Sequence, residues 1–144
     1  MDYFQWNNSI AAHFFKNEMA GRSVHLCVTE ELLRNIGQNY SADLADFIKA
    51  VKTGIIGLPG KGICQKALQS MDYWKYRHRQ KGYPLYVGYL ALFVLAADIE
   101  ENFASHAYYP RLRTLLGEKP RSGNYPDFDQ MKILWEDLAR WANE

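Results

Sequence analysis

Tyr83 to Ala97 reads YPLYVGYLALFVLAA, an uncharged run that stops at Asp98. The fold turns on whether these residues cross a membrane or fill the middle of a soluble domain. A spanning helix needs roughly 20 apolar residues. This run offers about 15 and carries Pro84 and Gly88, with Pro84 suited to the first turn of a helix. A helix that is apolar nearly all round belongs inside a protein. The run therefore predicts a buried helix from Pro84 to Ala97, with other helices packed about it.

The flanking segments supply those helices. Asn7 and Asn8 read as caps for a first helix in which Ile10 and Phe14, and Ala11 and Phe15, make i,i+4 pairs before Gly21. SVHLCV, Ser23–Val28, alternates Val24, Leu26 and Val28 against His25 and Cys27, the pattern of a short strand or extended lead-in. TEELLRNIG has Thr29 as cap, acids in its first turn and Gly37 as stop. SADLADFIKAVKTG repeats that grammar, with Ser41 as cap, Leu44, Phe47, Ile48 and Val51 on one face, and Gly54 at its end. A fourth helix places Cys64, Ala67, Leu68 and Met71 together, and a short sixth follows in YYPRLRTLLGE after Pro110. In the last helix Asp127 and Gln130 resemble a capping box, and Phe128, Met131, Leu134, Leu138 and Trp141 line one side.

Composition agrees with a folded interior. The chain has 144 residues, 48% hydrophobic and 15% aromatic, which suits one domain and argues against disorder. Its formal charge is +1, too near neutral to draw in nucleic acid or an anionic membrane by a global field. Cys27 and Cys64 are too few for a disulfide scaffold and fit a reduced, cytoplasmic setting. The N-terminus, with an early Asp2, lacks the pattern of a secretory signal.

The glycine-rich stretch GIIGLPGKGICQK, Gly54–Lys66, imitates a phosphate-binding loop. A Walker loop spaces its glycines to wrap backbone amides round phosphate and places a hydroxyl after the lysine for magnesium. Here Gly57 and Gly60 are too close, and Gly62 follows Lys61. No strand–turn–helix unit surrounds them as a dinucleotide fold requires. The stretch reads as a turn between helices, with a weaker anion site at Lys61 as its other use.

The strongest contact candidate is YWKYRHRQKGY, Tyr73–Tyr83. Lys75, Arg77, Arg79 and Lys81 alternate with Trp74, Tyr76 and His78, so cations and flat rings together could grip phosphates and stack on bases. The competing reading is a solvated helix end whose basic residues complement the helix dipole. Arg111 and Arg113, with Lys119 and Arg121, form a looser second group. Tyr108 and Tyr109, beside them, are residue types enriched at binding hot spots, or else a wedge against the core.

Chemistry-bearing clusters are sparse. The four histidines show no metal-ligand spacing, and only His25 and Cys27, with Cys64 as a conceivable third, share a face. No metal and no cofactor is expected. Asp98 and Glu101 stand one turn apart near His106, which leaves an enzyme assembled from distant segments as an alternative. No nucleophile elbow is present.

In order along the chain, WNNSIAAHFF, GICQKALQSMDYW, YPLYVGYLALFVLAA, HAYYPRLRTLLGE and LWEDLARWAN resemble the N-terminal part of large bacterial proteins associated with anti-phage defence loci. The resemblance covers essentially the whole chain and consists of helix-packing blocks, with no catalytic residue to carry over. It implies a helical module that precedes further domains.

The expectation is thus an all-α, single-domain chain over residues 1–144, a compact orthogonal bundle of about six helices with one extended segment. Its expected role is a non-catalytic interaction module for a protein partner or further domains of the same chain. A nucleic-acid-contacting module is the alternative. No membrane contact is expected, and a dimer is plausible through the open face of Ser23–Val28.

Overall fold

Helix α5 (Val87–Ile99) has no polar face. Every residue from Pro84 to Phe93 is buried, as are Leu95 and Ala96, while Val94 and Ala97 are half-buried. Water is excluded from such a segment on all sides, so its backbone amides must be satisfied within the protein. A full-length α-helix does this. Each fully buried Leu or Phe adds about 1.5–3 kcal/mol of transfer free energy.

The computed structural model describes residues 1–15, 26–77, 82–99, 111–118, 125 and 128–142, with only the backbone at 98 and 99. All regular structure among these residues is helical. Besides α5 these are α1 (Tyr3–Phe14), α2 (Glu30–Gly37), α3 (Leu44–Thr53), α4 (Ile63–Arg77), α6 over residues 111–115, and α7 (Lys132–Ala142), and α1 and α3 pack against α5. Short 3-10 turns at Gln38–Tyr40 and Phe128–Met131 extend α2 and lead into α7. No described helix is long and apolar enough to cross a membrane.

Aromatic edges hold the layers together. Trp6 on α1 meets Phe47 on α3 with ring centroids 5.3 Å apart, Trp74 on α4 meets Tyr86 at 6.0 Å, and Phe93 on α5 meets Phe128 at 5.5 Å. Phe15 and Tyr83 both approach Trp141 of α7, at 5.3 and 6.1 Å. All are edge-on contacts, the geometry in which ring quadrupoles attract. Trp6 also donates its indole N–H to Asp46 Oδ2 at 2.8 Å, where the Met1 amino group stands 2.9 Å away. Partial burial raises the Asp46 carboxyl, but these two donors and the nearby positive charges outweigh it and hold the group below its ordinary value.

Several helix starts differ from expectation. α1 begins at Tyr3, capped by Asp2 in a capping box with Gln5; Asn7 lies inside it, fully buried. α3 is capped by Asp43, whose carboxylate accepts from Asp46 N, and Ser41 is instead a turn residue at φ 53°. α2 does end at Gly37, as expected, and passes into the 3-10 turn; Ala42 folds back on it, with Ala42 N–H bonded to Gly37 O at 3.0 Å, so close that a Cβ would collide with Ala42 O. α5 starts at Val87 rather than Pro84, since Leu85 and Tyr86 form a turn.

Thr29 caps α2 as expected, accepting from Leu32 N at 3.1 Å. Residues 26–28 have no regular structure, and no strand occurs among the described residues. Leu26 and Val28 are nonetheless buried in the chain's own core, with Cys27 exposed between them. The alternation is thus that of an extended lead-in, and these two side chains need no second chain to cover them. Ser23 to His25, Gly21, Pro110 and Asp127 lie outside the described residues.

Gly54 closes α3 at φ 65°, ψ −149°, a conformation almost confined to glycine. A Cβ there would also collide with the Tyr89 hydroxyl of α5. That hydroxyl is buried and has no hydrogen-bond partner among the described residues. Gly54→Ala should cost about 2–3 kcal/mol, read as a lower midpoint in urea. Tyr89→Phe removes an unsatisfied oxygen and should be neutral or stabilising by up to about 1 kcal/mol. Combined with Tyr89→Phe, the glycine substitution should cost measurably less; strict additivity would show that the two groups do not collide.

Candidate interaction site

An α-helix turns by about 100° per residue, so the basic–aromatic cluster at the end of α4 cannot face one way. Trp74 is 1% exposed and packs on Tyr86. Lys75 points sideways to α7, its Nζ 2.6 Å from Asp137 Oδ1. Tyr86 donates its hydroxyl to the other oxygen, Asp137 Oδ2. One carboxylate thus joins α4, α7 and the turn that leads into α5. Burial, reinforced by the Asp137 carboxylate, pushes the Tyr86 phenol far above its ordinary range, so it remains a protonated donor.

Among the described side chains of the cluster, those that face outside are Tyr76, 80% exposed, and Arg77, also exposed. They stand one residue beyond the clamp, so their helical turn is held from beneath by Trp74 and Lys75. Arg77 also sits in the last turn of α4, where a cation complements the helix dipole. Arg79 and Lys81 lie outside the described residues, as do His78, Tyr108, Tyr109, His106, Glu101, Lys119 and Arg121, and nothing is described of the Asp98 side chain.

The second basic group divides as well. Arg111 is half-buried. Arg113 was expected as a contact residue but is 2% exposed, with its guanidinium carbon 4.7 Å from the centre of the Tyr125 ring. The cation is held over an aromatic face, flanked in sequence by Leu112 and Leu116, both buried, which carry this turn inward. Tyr125 passes its hydroxyl hydrogen to Glu118 Oε2 at 3.1 Å. Burial and then the Glu118 charge raise its phenol. Arg113 therefore belongs to the interior.

The glycine loop is occupied by its own helix. Gln69 Oε1 accepts from Gly60 N at 2.8 Å, and Gln65 Oε1 from Lys61 N at 3.1 Å. The Gly60 and Lys61 amides are thus engaged by side chains one turn apart on α4. Lys66 reaches back to the carbonyl of Lys52 at the end of α3. These bonds make the stretch a tied connection. Cys27 is exposed and Cys64 buried, and no disulfide joins them.

Two polar centres were missed by sequence reasoning. Asn7, read as a cap of its own helix, serves another: its Oδ1 accepts from Gly88 N at 2.8 Å and its Nδ2 donates to Pro84 O at 2.8 Å. Tyr3 adds a bond to Leu85 O at 2.7 Å. The usable signal was spacing, since Tyr3, Asn7 and Ile10 share a face. Asp137 likewise shares the apolar face of Leu134 and Leu138, which marks it as an acid turned inward.

Asp137→Ala should destabilise the domain by about 2 kcal/mol, less than for a fully enclosed pair because Lys75 can turn toward water. Lys75→Met should cost at least as much, since it leaves the buried Asp137 charge without its cation and only Oδ2 bonded, to Tyr86. Thermal unfolding of both variants checks this; an Asp137 variant of unchanged stability would show that the clamp holds nothing. No family model, no curated protein and no solved structure matches this chain.

Proposed function

We propose that this chain is a non-catalytic helical interaction module, cytoplasmic, which holds a protein partner or positions further domains of a larger, defence-related assembly. The observation that carries the reading is the exposed Tyr76–Arg77 pair mounted on a clamped helix end. Tyrosine and arginine concentrate binding energy at interfaces, and a backbone turn already held in place loses less freedom on binding. Three interior polar side chains are occupied in joining helices: Asn7 and Tyr3 bond the start of α5, and Asp137 ties α7 to its neighbours. The resemblance to N-terminal regions of large bacterial proteins supports the same role.

Nucleic-acid contact through the same helix end is the competing outcome, with Lys75 and Trp74 already engaged inside. Affinity capture with the wild-type chain and with a Tyr76→Ala, Arg77→Ala variant compares the two. The proposal expects a protein retained by the wild type and lost with the variant, together with no salt-sensitive binding to single-strand or duplex oligonucleotides. Oligonucleotide binding that weakens with salt and falls with Arg77→Ala would replace it, because phosphate contacts release counterions.

A further inference from the structure

We draw no further inference here: the strongest candidate, the tip of the glycine loop between α3 and α4 where Ile56 stands 89% exposed, rests on a single apolar side chain, and nothing in the structure shows what covers it.

Discussion

Above pH 10 the domain should lose stability at about 5–6 kcal/mol per pH unit. Tyr3, Tyr86 and Tyr89 are each buried to 2% exposure or less, and Tyr125 to 9%, and burial holds their phenols above the ordinary value of 10.0. Tyr3 is raised further by Tyr89, Tyr86 by Asp137 and Tyr125 by Glu118. In the unfolded chain these phenols ionise near pH 10, whereas in the folded chain they keep their protons. The folded state then binds more protons, so the stability these groups contribute is complete below pH 10 and shrinks as pH rises. Four groups at about 1.4 kcal/mol per unit each give the slope. Urea unfolding across pH 9 to about 12 measures it, and Tyr86→Phe or Tyr89→Phe should each flatten it by about one quarter. Phenolate absorbance from all tyrosines while the helical signal stays intact would refute the account.

Asn7→Ala should be the most damaging single substitution on α1, at about 3–5 kcal/mol. It leaves both the amide of Gly88 and the carbonyl of Pro84 buried beside an apolar methyl, and each orphaned group costs about 1–3 kcal/mol. Asn7→Leu should fare no better although it restores volume, because hydrogen bonds and not packing are lost. Asn8→Ala is the control, since Asn8 is exposed, and should move stability by less than about 0.5 kcal/mol. An Asn7 variant melting with the wild type would mean that α5 needs no help at its start.

The fold class was legible because it depends on periodicity. The run from Tyr83 to Ala97 is too short to span a bilayer and too apolar to lie outside, and the faces of α3, α4 and α7 repeat at helical spacing. Caps were legible only where the side chain serves its own helix. Thr29 was found that way; Asn7 was not, because its partners lie about eighty positions away. Ser41 lost to Asp43 because both are good caps and the turn at Ser41 selected the later one. The candidate site suffered for a related reason. Reading Tyr73 to Tyr83 as one patch treats alternation as a face, and on a helix it is not: Trp74 enters the core, Lys75 crosses to Asp137, and Tyr76 and Arg77 look outward. Arg113 shows that a basic residue between leucines can be carried inward when an aromatic ring is there to receive it.

The bond between Asn7 and Gly88 also bears on the order in which the protein can be made. Tyr3, Trp6 and Ile10 leave the ribosome first, but the start of α5 that Tyr3 and Asn7 engage is 81 residues behind Asn7. At about 5–20 residues per second the N-terminal segment waits roughly 4–16 seconds with its greasiest side chains uncovered. A nascent chain arrested before Tyr83 should therefore be a client for chaperones, and one released past Ala97 should not.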